Sequence, residues 1–235
     1  AELSFGPRNF RAPVKSRTEE EDTSFLGLGQ HLAFLQGCVV ARPAGGPGDV
    51  PIVVDFEGRP AKMLAAMLPD YGPAALLKVQ LVDLPKLPLG KLRPTEIVVE
   101  VHAASVNPTD WKQRKGTLSQ LCTLSLPAIL GIDFAGRVVR AGDEAPLQEG
   151  DEVFGRQTLE RMRELNGSYA EYMIVESADV HKKPPNLTFE EAAAVPHACL
   201  AAYAALGHVG KLINKRHKSH KCVLVLGGSG GVGSF

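Results

Sequence analysis

The residues Gly228-Ser229-Gly230-Gly231-Val232-Gly233 stand directly behind the apolar run Cys222-Val-Leu-Val-Leu226. Continuous β-branched apolarity of this kind predicts a strand over 221–228 covered on both faces, as in a parallel sheet. A G-x-G-x-x-G loop after such a strand uses glycine for three things: a tight turn, close main-chain approach to a pyrophosphate, and close packing of the next helix. The pattern therefore predicts a dinucleotide-binding loop built from Gly228, Ser229, Gly230, Gly231, Val232 and Gly233. An ordinary glycine-rich turn is the alternative the residues leave open. A parallel strand needs neighbours, and the chain stops at Phe235. The expectation is thus a C-terminally truncated fragment holding only the opening β-α element of a nucleotide-binding domain. The position about 20 residues downstream that separates NAD from NADP falls beyond it.

Charge narrows the function classes. Lys+Arg and Asp+Glu are both 26, for a formal net charge of zero. A nucleic-acid or membrane-surface binder would carry a basic excess, so neither partner is expected. No apolar run reaches the ~18–20 residues of a membrane span. Cys38, Cys122, Cys199 and Cys222 lie far apart with no C-x-x-C pair, which argues against a disulfide framework or zinc cluster and for a reducing compartment. Residues 1–60 read as a leader of unknown structure. Arg8, Arg11, Lys15 and Arg17 hint at an organelle transit peptide, but Glu19-Glu20-Glu21-Asp22 break that pattern. Cytoplasmic and mitochondrial locations both stay open.

The middle of the chain predicts strands over 96–103, 132–141 and 168–175, and within 148–154 a turn leading into a further strand, the segments being separated by Gly, Pro and Asp turns. That spacing points to a compact, barrel-like β domain. The pattern changes after Leu187. Thr188 with Glu191 forms a capping-box signature ahead of an Ala-rich helix. Pro196 should break it, a second helix should run from about 198 to 206, and Gly207 and Gly210 should stop that helix. The basic run Lys215, Arg216, His217, Lys218 and Lys221 reads as a solvated loop. The expected organisation is a leader over 1–60, a β domain over 61–190, and a helical joint with the start of a nucleotide-binding domain over 191–235.

Several blocks in this order resemble the medium-chain dehydrogenases/reductases, in their zinc-free quinone oxidoreductase branch. They are His102-Ala-Ala-Ser-Val-Asn107-Pro-Thr-Asp110-Trp-Lys112, Leu130-Gly-Ile-Asp133-Phe-Ala-Gly136, Gly150-Asp-Glu-Val153, Gly167-Ser-Tyr-Ala-Glu-Tyr172, Ala192 to Leu206 and Gly227 to Phe235. Segments are similar both to reticulon-4-interacting-protein-like oxidoreductases and to plant envelope quinone oxidoreductase homologues. The resemblance implies an α/β fold: a GroES-like β-barrel domain, then the first β-α element of a Rossmann domain that is otherwise absent. It further implies hydride transfer from NADPH, with NADH left open, to a small-molecule quinone or α,β-unsaturated carbonyl, and a homodimer at full length.

Zinc-dependent relatives need Cys where this chain has Asn107, and His-Glu where it has Ile132-Asp133. Isoleucine cannot ligate, so no metal is expected. By resemblance Asn107 sits where nicotinamide and substrate meet; the alternative is that Asn107-Pro108 only shapes a turn. Asp110 either caps the helix after Pro108 or orients Lys112, which stands where some relatives carry Tyr. Asn107, Asp110 and Lys112 are the candidate catalytic residues, and Asn107 with the glycine loop the candidate cofactor site. His102 and His197 read as packing histidines, and Tyr169 and Tyr172 as buried rings. Two other function classes remain: a non-enzymatic GroES-like interaction module, and an enoyl reductase of lipid or polyketide synthesis.

Overall fold

The computed structural model describes residues 39–41, 62–83, 92–159, 161, 167–210, 212 and 222–235. Most of the leader and the basic run 213–221 lie outside the described residues. Strands β1 (Val39–Ala41), β4 (Glu96–Ser105), β6 (Asp133–Ala141), β7 (Glu152–Arg156), β8 (Tyr172–Glu176) and β9 (Val180–Lys182) form one antiparallel sheet. Its order is β1-β4-β6-β7-β9, with β8 pairing the opening half of β4. A second antiparallel sheet holds β2 (Lys62–Leu68), β3 (Lys78–Asp83) and β5 (Ala128–Ile129) in the order β3-β2-β5. The two sheets join where Ala65 bridges Ala170 and the amide of Ala66 donates to Tyr169 O at 2.8 Å.

The longest strands are the ones whose sequence is richest in β-branched residues. In β4, Ile97, Val99 and Val101 point inward at alternate positions and meet Phe134 and Val138 of β6, Val153 of β7 and Met173 of β8. Burying each such side chain is worth about 1.5–3 kcal/mol relative to exposing it, which holds the sheet curled around this cluster. Gly136 lets the two central strands cross closely. A Cβ built there would lie 2.0 Å from Glu100 O, beside a register irregularity between Val101 and Ala103. No other residue fits that approach.

Helix α1 (Pro108–Arg114) follows β4 almost directly, with proline at its first turn where the missing N–H costs nothing. Its far end is tied to the loop after β2, since Gly72 N donates to Arg114 O at 2.9 Å and the Arg114 guanidinium donates to Gly72 O. Helix α2 (Phe189–Ala193) starts at the expected capping box: Thr188 Oγ1 accepts from Glu191 N at 3.1 Å, and Glu191 accepts from Thr188 N at 2.9 Å. Its Ala192 and Ala193 pack on Ala103 of β4 and Ala135 of β6. Small residues on both sides bring the helix close to the sheet.

Four expectations need adjustment. The expected break between the helices is present at Ala194–Val195, but the second helix starts earlier than 198: Pro196 opens α3 (Pro196–Ala204), again at a first-turn position. That helix continues into a π-helical turn, Ala205–Val209, so Gly207 lies inside the helical run and the end comes at Gly210. The strand expected from 168 begins only at Tyr172, whereas the turn expected to lead from 148 into a strand is present ahead of β7 at Glu152. Residues 148–151 form a turn in which Asp151 accepts from Gln148 N, and 168–171 cross to the second sheet. Finally, residues 222–226 pair with no strand among the described residues, and Leu224 and Leu226 are 84% and 85% exposed. Among the described residues no parallel neighbour lies beside them to accept their hydrogen bonds or cover their side chains.

Candidate active site

Because β4 and β6 run antiparallel with Ala104 opposite Phe134, the end of one strand lies beside the start of the other. Ser105 and Asn107 therefore meet Asp133. Asp133 Oδ2 accepts from Ser105 Oγ at 3.1 Å, from Asn107 Nδ2 at 2.9 Å and from the backbone amide of His197 at 3.1 Å. Asn107 Nδ2 also donates to Ser105 Oγ at 3.0 Å. Three donors from two separate stretches of sequence thus converge on one carboxylate that is fully buried. Its second oxygen, Oδ1, is buried with no hydrogen-bond partner among the described residues.

Burial raises Asp133 to about 6, against the opposing pull of the bonds from Asn107, His197 and Ser105 and of the Arg156 charge. Asp110, one turn into α1, accepts from the Asn107 backbone amide at 2.7 Å, so the helix-capping reading of Asp110 describes its contact. Burial pushes it further, to about 7, opposed first by that bond from Asn107 and reinforced by the nearby charge of Asp133. Two carboxyls that titrate near neutrality so lie on either side of Asn107. His197 has its Nε2 3.3 Å from Thr109 Oγ1, and burial followed by the Arg156 charge holds the imidazole below its usual value. The Tyr169 hydroxyl donates to Ser105 O at 3.4 Å and closes one flank.

Of the candidate catalytic residues, Asn107 and Asp110 are brought together and Lys112 is not. Lys112 is exposed, with Nζ 5.6 Å from the Trp111 ring centroid. Helical geometry explains this, since residues two apart lie on different faces. His102 stacks on Phe189 with centroids 4.4 Å apart, a packing role. Tyr172 is buried within β8, whereas Tyr169 is half-buried and precedes that strand. The sequence alone did not single out Ser105, or Asp133 as a hydrogen-bond hub. The available signal was an aspartate opening an apolar strand, which must find donors if it is to be buried.

The glycine loop folds as a tight turn. Gly230 N donates to Gly227 O at 2.9 Å, and Ser234 N to Gly230 O at 3.0 Å, a single helical turn. Gly227 has φ +76°, and a Cβ on Gly233 would lie 2.3 Å from Gly227 O, so the loop closes only with glycine at 233. Residues 228–232 are exposed. Among the described residues the amides of Gly228, Ser229, Gly231 and Val232 meet no backbone acceptor. A loop of open amides with no side chain in the way fits a diphosphate. A Cβ on Gly231 would lie 3.7 Å from Ala198 Cβ, which places the loop against α3 one residue from His197, whose amide bonds Asp133.

Residues 93–185 match the alcohol dehydrogenase GroES-like domain. The chain carries that domain. It is similar to a 2-methylene-furan-3-one reductase of Solanum lycopersicum, with 38% identity over 180 residues, 75% of this chain and 43% of that protein. It is also similar to the mitochondrial NAD(P)H oxidoreductase RTN4IP1 of Dictyostelium discoideum, with 34% identity over 176 residues, 74% of this chain and 48% of that one. Among solved structures, a quinone oxidoreductase from Coxiella burnetii superposes with TM-score 0.53 and 31% identity, covering 63% of this chain and 45% of that one. The chain spans about half the length of the curated relatives it matches. The likeness to the quinone oxidoreductase branch of the medium-chain dehydrogenases/reductases, drawn from the motif blocks, therefore stands. The GroES-like domain supplies Ser105, Asn107, Asp110 and Asp133, while His197 and the glycine loop come from the segment after it. No helix among the described residues is long and apolar enough to cross a membrane.

Proposed function

We propose that the full-length protein is an NAD(P)H-dependent reductase of quinones or α,β-unsaturated carbonyls that works without a metal. One observation carries this reading: the Asp133-anchored Asn107 cluster and the open glycine loop lean on the same stretch of α3, at His197 and Ala198. Nicotinamide and diphosphate lie at opposite ends of one half of the cofactor, so a site for each on one support suits a single bound dinucleotide. The glycine loop would hold the diphosphate through the amides of Gly228, Ser229, Gly231 and Val232.

When bound, the nicotinamide supplies a hydride to an electrophilic carbon. The chain positions the partners and keeps protons at hand. Asp110 and Asp133 carry exchangeable protons near neutral pH beside Asn107. The donor set favours metal-free chemistry: Asn107 offers an amide, Ile132 is a fully buried hydrocarbon, and Asp133 Oδ2 is already committed to three donors. One carboxylate beside an amide and a hydrocarbon does not make the tetrahedral N/S site that zinc takes. An enone or quinone, electrophilic without a Lewis acid, suits such a site.

In this reading residues 61–190 form the catalytic domain and 191–235 the joint and start of the nucleotide-binding domain, in a homodimer that prefers NADPH. The test is NADPH oxidation by the full-length protein with a panel of quinones and enones in excess chelator. Turnover that persists supports the proposal; turnover abolished by chelator and restored by zinc rejects it.

A further inference from the structure

Hydride delivered to an enone or quinone leaves negative charge on the carbonyl oxygen, and among the described residues the cluster around Asn107 holds no cation to meet it. Asp110 and Asp133 are carboxyls. His197 is kept neutral near pH 7, first by burial and then by the Arg156 charge, and Lys112 lies exposed beside the Trp111 ring. Arg156 stands next to this cluster. It pairs with Asp133 across β6 and β7, and paired residues of antiparallel strands project from the same face. Its charge is felt at both Asp133 and His197, behind the larger effect of burial. Yet its Nε is buried with no hydrogen-bond partner among the described residues, and the guanidinium forms no ion pair with them. Arginine stays ionised in proteins and carries five donors in a planar fork. A half-buried guanidinium with no anion at hydrogen-bond distance has donors free for an incoming oxygen.

We propose that Arg156 is a catalytic residue that donates from its guanidinium to the substrate's carbonyl oxygen and holds the negative charge this oxygen gains as hydride arrives. This rests on the reductase reading above and deepens it. The cofactor does not compete for the role at this position. A reduced nicotinamide is neutral and becomes a cation on giving up hydride, and the diphosphate is assigned above to the open amides of the glycine loop. With an enone, the C–H electron pair of the reduced nicotinamide goes to the carbon β to the carbonyl. The C=C pair moves between the α carbon and the carbonyl carbon, the C=O pair moves onto oxygen, and the oxyanion rests against Arg156. A proton from water then reaches the α carbon and restores the ketone. Charge that exists only in the reacting state makes the effect of Arg156 one on rate rather than on substrate binding.

The test reads binding and turnover separately on the full-length wild type, Arg156→Gln and Arg156→Lys. The binding probe is para-nitrophenol, whose ionised form is an oxyanion on a flat ring and absorbs in the visible. Titrated with NADPH bound, the wild type should hold the probe as phenolate at a lower pH than free solution does. Arg156→Gln should lose that shift and slow single-turnover reduction of an enone about ten- to a hundredfold. The KM for the enone and the dissociation constant of NADPH should change little. Arg156→Lys, which keeps the charge without the fork, should recover part of both effects. A merely structural arginine would lower the melting temperature and leave the ionisation of the probe unmoved. A shift that survives Arg156→Gln, or a loss confined to NADPH binding, overturns the proposal. Should Arg156→Gln fail to melt cooperatively, the wild type and Arg156→Lys decide, and a bound probe that ionises no lower than the free one overturns it. A wild type that reduces neither enones nor quinones overturns the reductase reading itself.

Discussion

Two buried carboxyls with raised values make stability depend on pH in a direction that can be worked out. An unfolded aspartate titrates near 3.9, whereas Asp133 and Asp110 titrate at about 6 and about 7 in the folded chain. Between those values the folded state binds more protons than the unfolded one, so stability falls as pH rises from about 4 to about 7 and then levels. His197, held low by burial, acts in the opposite sense below its ordinary value of 6.5. Replacing Asp110 alone isolates its share. Asp110→Asn should flatten the decline and raise stability at pH 7 relative to wild type by on the order of 2–4 kcal/mol, less the weakening of the bond from Asn107 N. Thermal melts across pH 4–8 check this, and parallel curves would refute it. Asp110 is legible in sequence because a carboxylate in the first turn after Pro108 is a local capping signal, and Asn107 because its motif block resembles the family's. The hub at Asp133 is not, because Ser105, Asn107 and His197 reach it only after the strands have paired.

At the scale of elements, close approach decides what substitution does. Gly136→Ala places a methyl group 2.0 Å from Glu100 O at the central β4–β6 crossing. The expected loss is about 1–3 kcal/mol or more, read as a lower urea midpoint, since backbone cannot yield as a side chain would. Thr188→Ala removes the oxygen that accepts from Glu191 N and should cost about 1 kcal/mol. A midpoint unchanged in either variant contradicts the packing described. Strands β4 and β6 were readable from β-branched runs, and α2 from Thr188 and Glu191. Strand β2, Lys-Met-Leu-Ala-Ala-Met-Leu, is built from residues that favour helices and becomes a strand because β3, β5 and Ala170 pair with it. Strands β5 and β9 hold two and three residues, too few for any period to show.

For the whole molecule, the sequence blocks and the GroES-like domain agree, while the apolar run 222–226 is a strand in pattern that lacks a pairing partner among the described residues. Local pattern states what a segment can become; pairing decides what it is. The glycine loop keeps its turn in that setting because its closure is internal, Gly233 on Gly227. Gly233→Val should therefore weaken NADPH binding to the full-length protein more than tenfold and leave the melting of the β domain in place. Equal affinity would show that the loop does not hold the diphosphate. The most direct test of the account is isotope transfer. The full-length protein is incubated with NADPH deuterated at nicotinamide C4, an enone and excess chelator, and the product is read by mass spectrometry and NMR. The account predicts one deuterium at the carbon β to the carbonyl. Product without that label, or labelled product formed only when zinc is supplied, would contradict it.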